Sequence, residues 1–272
     1  MDMDIEHLRG WIGREDKAQE LLTEELVRRF RATLGLADTT TPPRLIHLCL
    51  APPVVPNAAT GPDGHPARGG FLPPIPLPNR MWAGGDFTFH GDPQVGELIT
   101  RHSSIRDVVL KSGRSGPLCF VTVDHRISAG GRRLVEERQD IVYRAASPRA
   151  APAEAAAPGA YREDADGAPL VLFRYSALPF NGHRIHYDHP YATQVEGYPG
   201  LVVHGPLQAT WLYHYAARLR NGAPPARFGF RSHAPLFDSD RITLNARERA
   251  EGLTLWTAAA NGPVAMLAEA DW

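Results

Sequence analysis

The first half of the chain shows one helical pattern of hydrophobic positions followed by several strand-like patterns. Residues 17–34 carry Leu and Phe at helical spacing, which predicts an amphipathic helix. Four later segments have the lengths and composition of strands: 86–90, 98–110, 117–127 and 134–144. Gly130-Gly131 predicts a turn between the last two of them. The first half is therefore predicted to form a helix followed by an antiparallel meander.

The second half repeats this order of elements. Residues 170–175 predict a strand, and residues 203–219 predict a buried helix. More strands are predicted after it, at 226–231, 241–251, 253–260 and 264–272. The segments 87–95 and 229–237 can also be aligned, with a proline at the same place in each. Two copies of one α+β unit, each a curved antiparallel sheet around a helix, are favoured over two unrelated α+β domains.

Two stretches lack these patterns and divide the chain. Residues 37–79 are rich in Pro and Gly and predict a coil, which is long enough to indicate a binding function. Residues 145–168 are rich in Ala, Pro and acidic side chains, which is typical of a linker. The predicted organisation is an N-terminal unit at 1–144, a linker at 145–168 and a C-terminal unit at 169–272.

Composition and charge narrow the functional classes. The 272 residues include 29 basic and 30 acidic side chains, so the chain has no general electrostatic attraction to nucleic acid or to an anionic membrane. Cys49 and Cys119 stand far apart without the spacing of a zinc site, which fits a reducing compartment. Residues 1–10 are polar and acidic, and no long apolar run occurs. We therefore expect a soluble cytoplasmic protein.

Histidines are concentrated before the predicted buried helix, with four of the twelve at positions 183, 186, 189 and 204. Burying such a polar segment costs free energy unless its groups are paired or used. Three interpretations remain open. His183, His186 and Asp188 could bind a metal, although their spacing matches no strong ligand signature. The segment could be a hydrogen-bonded structural loop with Asp188 capping a turn, or an imidazole and a nearby amide could perform acid/base chemistry on water.

The segment resembles the catalytic loop of the MaoC-like, R-specific enoyl-thioester hydratases. The matching positions occur in the family's order and spacing: His186, Asp188, Ala192 and His204-Gly205. Asn181 stands where that family usually has its catalytic aspartate, and His183 stands where it has asparagine. Residues 180–188, with 80–85, 113–118 and 137–143, are similar to one branch, the type 2 3-hydroxyacyl-thioester dehydratases and the mesaconyl-type (3-methylfumaryl-CoA) and itaconyl-CoA hydratases.

The resemblance implies an α+β double hot-dog fold and a hydro-lyase without a cofactor or a metal. The C-terminal copy would be catalytic, and the N-terminal copy would accommodate the acyl chain or CoA. The substrate would be a 2-enoyl or 3-hydroxyacyl thioester of CoA or acyl carrier protein, with small branched dicarboxylic acyl groups among the candidates. Open sheet edges make a homodimer a further expectation.

Residue roles follow from the resemblance and from the chemistry of hydration. His186 is the expected general acid/base, because an imidazole exchanges protons near neutral pH, and Asn181 is expected to orient the water. The N–H of Gly205 could bind the developing oxyanion at the helix N-terminus, or Gly205 could simply begin the helix. Other residues are expected to support the loop or bind substrate: His183, Asp188 and Tyr191 in the first role, Arg184 and His204 in the second.

Two rival functions fit the same sequence. A hot-dog thioesterase would share the fold and the oxyanion site but would release free CoA. A non-catalytic acyl-thioester-binding protein would result if the change at position 181 had removed activity. Thiol release separates the first rival from a hydratase, and the effect of His186→Ala on turnover separates the second.

Overall fold

The computed structural model describes residues 3–113, 116–145 and 154–272. Within these residues the chain forms ten strands: β1 (Glu15–Leu21), β2 (Asn79–Phe89), β3 (Leu98–Gly113), β4 (Gly116–Ala129), β5 (Arg132–Arg144), β6 (Tyr161–Ala165), β7 (Arg227–Ser232), β8 (Ile242–Arg249), β9 (Gly252–Ala259) and β10 (Val264–Asp271). Its α-helices are α1 (Ile5–Arg9), α2 (Glu24–Leu34), α3 (Pro169–Ala177) and α4 (Gly205–Leu219).

All ten strands belong to one antiparallel sheet whose two halves mirror each other. The strand order is β1-β3-β4-β5-β2-β7-β10-β9-β8-β6, so the second five strands repeat the order of the first five in reverse. The halves meet where β2 pairs with β7, with Phe87 opposite Phe228. The two segments that can be aligned in sequence, 87–95 and 229–237, therefore begin in equivalent strands, β2 and β7, at the seam where the two halves meet. This architecture confirms the predicted α+β double hot-dog.

The main hydrophobic core is shared by both halves. It includes Phe87 of β2 and Phe228 of β7 as well as Leu212 and Ala216 of α4, and all four side chains are buried. α4 packs against strands of the C-terminal half and against the seam. In the N-terminal half, the 3₁₀ turn Ile46–Cys49 contributes to this core, and most of the segment from 37 to 78 is irregular, as its Pro and Gly content predicts.

Two local predictions are wrong. Residues 17–34 do not form one helix: β1 comes first, and α2 begins after Thr23, whose hydroxyl accepts a hydrogen bond from the Leu26 N–H at 3.1 Å. The segment 170–175 is a helix, α3, rather than a strand. A short apolar run does not distinguish the two, and Pro169 at the first helical position favours the helix.

The proposed linker is partly incorporated into the sheet. Its residues 161–165 form β6, which pairs with β8, while residues 146–153 lie outside the described part of the chain. The division into units at 1–144, 145–168 and 169–272 therefore stays a prediction. No helix in the described chain is long and apolar enough to cross a membrane.

Candidate active site

His186 lies in the connection between α3 and α4, in a 3₁₀ turn at Arg184–His186. Its Nδ1–H donates a hydrogen bond to the carbonyl oxygen of Val202 at 2.7 Å, and the Val202 N–H donates to the Ile185 carbonyl at 2.9 Å. Because a carbonyl can only accept, the proton of the neutral ring is on Nδ1 and the lone pair is on Nε2. His186 is therefore oriented to accept a proton through Nε2.

Burial determines the charge of this ring. It lowers the pKa of His186 to about 4, and the hydrogen bond to Val202 opposes only part of that effect. The imidazole is consequently neutral at neutral pH. It can act as a base towards water without first losing a proton.

His186 belongs to a chain of four packed imidazoles. The ring centroids of His65 and His183 are 4.3 Å apart, those of His183 and His186 are 5.2 Å apart, and His186 stacks on His204 at 3.6 Å. Burial also holds the pKa values of His65, His183 and His204 well below the usual histidine range. At the far end, Nε2 of His204 lies 2.8 Å from the hydroxyl oxygen of Ser176.

Asn181 lies beside this chain and faces an open cleft of about 520 Å³. Its Oδ1 accepts a hydrogen bond from the His183 N–H at 3.0 Å. His65 and Ser176, at the two ends of the imidazole chain, line the same cleft. The structure thus places Asn181, His65 and Ser176 on a cavity of ligand size, whereas the buried rings of His183, His186 and His204 pack next to them without lining it.

The other predicted loop residues contact one another instead of the cleft. Nε and Nη2 of Arg184 lie 3.0 and 2.8 Å from Oδ2 of Asp188, and its guanidinium carbon is 4.1 Å from the ring centroid of Tyr191. Oδ1 of Asp188 accepts a hydrogen bond from the Tyr191 N–H at 3.1 Å. These contacts stabilise the loop, and the substrate-binding roles predicted for Arg184 and His204 stay predictions.

The N-terminal half contributes His65, which sequence reasoning missed. Its loop docks on the histidine-rich loop through two glycines, Gly64 and Gly182, where a Cβ on either residue would collide with the carbonyl oxygen of the other. The Arg184 N–H also donates to the Asp63 carbonyl at 2.9 Å. The predicted binding function of the 37–79 coil pointed to this segment, but no sequence spacing pointed to His65 itself.

Gly205 is the first residue of α4, directly after His204. The amide groups of a first helical turn have no acceptor within their own helix, so the Gly205 N–H can bind an oxyanion. Trp82 of β2 packs against this residue, and a Cβ at Gly205 would lie 3.2 Å from its Cε3. A neutral base, an amide and the N-terminus of α4 therefore occupy one region.

Two of the three residues considered as a metal set make other contacts. No three His, Cys, Asp or Glu side chains there are grouped so that they could hold a metal ion. Among the three residues considered as a metal set, Asp188 is paired with Arg184, and Nδ1 of His186 is bonded to Val202.

Known proteins resemble this chain in sequence and in fold. The family model for hydroxyacyl-thioester dehydratase type 2 matches residues 45–238. A mesaconyl-C(4)-CoA hydratase from Chloroflexus aurantiacus is 42% identical, with 96% of each chain covered. Among solved structures, a MaoC-like dehydratase from Phytophthora capsici has a TM-score of 0.73 at 12% identity, covering 99% of this chain and 98% of that one.

A second structure, HtdX of Mycobacterium tuberculosis, has a TM-score of 0.68 at 20% identity, covering 94% of this chain and 98% of that one. At such low identity the structural likenesses support the fold alone. The family match is decisive, because it covers more than half of the chain and includes the cleft-lining His65, the imidazole chain and α4. The chain therefore belongs to the type 2 hydroxyacyl-thioester dehydratases, a branch of the MaoC-like dehydratases.

Proposed function

We propose that this chain catalyses the reversible hydration of a 2-enoyl-CoA thioester, and that a mesaconyl-type dicarboxylic thioester is its substrate. Family membership supports the reaction class, which is that of a hydro-lyase. The identity of 42% to a mesaconyl-C(4)-CoA hydratase, over almost the full length of both chains, supports the substrate class. The observation that carries the mechanism is the neutral, Nδ1-protonated His186 in one imidazole chain with the cleft-lining His65.

In the proposed hydration, Asn181 holds the water through its side-chain amide. Nε2 of His186 accepts a proton from that water as its oxygen attacks C3 of the enoyl group, and the ring then delivers a proton to C2. The Gly205 N–H stabilises the negative charge that develops on the thioester oxygen. No step needs a cofactor. In the reverse direction the same groups exchange roles.

The remaining residues support this centre. His183 binds Asn181 through its backbone, His204 stacks on His186, and Asp188, Arg184 and Tyr191 stabilise the loop. We assign the N-terminal half, 1–144, to accommodating the acyl or CoA portion and the C-terminal half, 169–272, to catalysis. A cytoplasmic homodimer completes the proposal. The outermost strands of the described sheet, β1 and β6, offer edges for such pairing.

The test compares His186→Ala with His189→Ala, whose histidine is exposed on the same loop. We expect His186→Ala to lower kcat by roughly 100- to 10,000-fold, the usual contribution of a general acid/base, while substrate affinity changes little. His189→Ala should retain activity. Loss of enoyl absorbance, a mass gain of one water and calorimetric binding provide the measurements.

Each rival gives a different result in these assays. Stoichiometric release of free thiol by the unmodified protein would identify a thioesterase. Binding without turnover of crotonyl-, mesaconyl- or itaconyl-CoA would identify an acyl-thioester-binding protein. Asn181→Ala adds a separate check, because it should lower kcat more than it raises KM if the amide orients water.

A further inference from the structure

The N-terminal half places one arginine on the wall of the cleft. Arg101 lies on β3, where it shares the inward face with the buried residues Ile99 and Ser103. Its side chain is only 19% exposed, yet it lines the cleft together with Asn181 and His65. Arg101 therefore faces the same cavity as the candidate active site, from the opposite half of the molecule.

The guanidinium group of Arg101 lacks the acceptors that a mostly buried arginine normally has. Within the described residues it donates no hydrogen bond, and its Nε is fully buried without a partner. The nearest carboxylate oxygen, Oδ2 of Asp16, is 3.9 Å from Nη2. The buried carboxylate of Glu137 is held by Gln139 at 2.5 Å and faces His47 at 3.5 Å. The buried Nε cannot reach a ligand, but the two terminal NH2 groups have no hydrogen-bond acceptor among the described residues and are available to one.

Arg101 also supplies the charge of the cleft. Among the described residues that line it, Arg101 is the single Lys, Arg, Asp or Glu side chain. The rim consists largely of exposed apolar and aromatic groups, including Phe173, Phe180 and Tyr187. Since His65 is neutral, Arg101 is the cation that an anionic group entering this cleft can contact, and it lies on an inner wall.

We propose that Arg101 binds the free carboxylate of the substrate's acyl group and so selects dicarboxylic enoyl thioesters. A mesaconyl thioester carries one carboxyl group in the thioester and a second one free. A planar guanidinium binds such a carboxylate through two parallel hydrogen bonds. CoA phosphates offer similar chemistry, but Arg101 lies on the inner wall instead of the exposed rim. This assignment rests on the proposed function and adds the residue that determines its substrate specificity.

The experiment compares mesaconyl-C4-CoA with the same thioester methylated on its free carboxylate. Arg101→Gln should lower kcat/KM for the acid by about 10- to 100-fold, and leave the methyl ester within about twofold, because a hydrogen-bonded charge is lost only for the acid. Arg106→Gln is the matched control. Arg106 lies on the same strand, is exposed and pairs with Asp124. It should leave both substrates unaffected.

A second variant, Arg101→Lys, keeps the positive charge but removes the planar guanidinium that can form two parallel hydrogen bonds. Its preference for the acid should therefore fall between those of the wild type and Arg101→Gln. It also allows the test to proceed if Arg101→Gln does not fold. Equal losses on acid and ester in both variants would overturn the proposal. Losses on both CoA thioesters that disappear with phosphate-free pantetheine thioesters would assign Arg101 to CoA phosphate instead.

Failure of the proposed function has a different signature. In that case the wild type hydrates neither the acid, the ester nor crotonyl-CoA. Calorimetric binding of the acid and the ester to wild type and Arg101→Gln then still decides the role of Arg101. A wild-type preference for the acid that Arg101→Gln abolishes supports carboxylate recognition, and equal binding by both proteins refutes it.

Discussion

The neutral state of buried His186 predicts a specific loss of stability in acid. The pKa of this ring is about 4 in the folded protein, against 6.5 for an unperturbed histidine. Between these values the unfolded chain binds a proton that the folded chain excludes. Stability must therefore fall as the pH drops from the unfolded pKa towards the folded pKa. Replacing His186 with Gln removes this ring's share of the effect.

The magnitude follows from the two pKa values. Between about pH 7.5 and about pH 5, the ring of His186 takes up a proton in the unfolded chain but not in the folded one. This difference lowers the free energy of unfolding by roughly 2 kcal/mol. The other buried histidines act in the same direction, so the wild type should lose more than this in total. The contribution of His186 is the difference between wild type and variant, which includes the effect of this ring on the pKa values of the neighbouring histidines.

Urea unfolding at the two pH values measures this difference. We expect the wild type to lose roughly 2 kcal/mol more than His186→Gln on acidification. His189→Gln, a change at an exposed position, should follow the wild type. If His186→Gln shows the same pH dependence as the wild type, the ring is not held neutral by burial, and the assignment of Nε2 as a ready base fails with it.

Three further predictions concern the same region. If neutral His186 is the base, kcat/KM for hydration should be nearly constant from about pH 5.5 to about pH 8 and fall towards a pKa of about 4, as a pH-rate profile would show. Gly64→Ala should destabilise the protein by at least about 1 kcal/mol more than Gly13→Ala and lower activity, because both glycines have positive φ but only Gly64 abuts another backbone. Gly205→Ala should cost roughly 1 kcal/mol in urea unfolding and lower kcat, since its Cβ would press on Trp82.

The sequence predicted the strands well because their signals are local. Alternating burial defines β3 and β4, and Gly130-Gly131 forms the turn between β4 and β5, as expected. The helix at 169–177 was mistaken for a strand because its apolar run carries no clear period. The sequence predicts part of β1 as helix, because this edge strand is mostly exposed and has little alternation of apolar residues.

The candidate site was predictable only in its C-terminal part. Asn181, His183 and His186 lie within six positions, so a loop resemblance could identify them together. His65 and Arg101 reach the same cleft from the other half through tertiary packing. Nothing in their local sequence distinguishes them from other histidines and arginines of the chain. Their proximity to the loop depends on the docking of Gly64 on Gly182 and on the inward face of β3.

The pairing of β2 with β7 has a consequence for how this protein can be divided. Trp82 packs on Phe230 at 4.3 Å, and the Trp82 carbonyl accepts a hydrogen bond from the Ser232 hydroxyl at 2.9 Å. Cutting the polypeptide into its two hot-dogs would leave a bare strand and uncovered aromatic rings on each piece, the combination that promotes aggregation. Although the strand order of one half repeats that of the other, we expect the two halves to fold together and neither half to stay soluble when it is expressed alone.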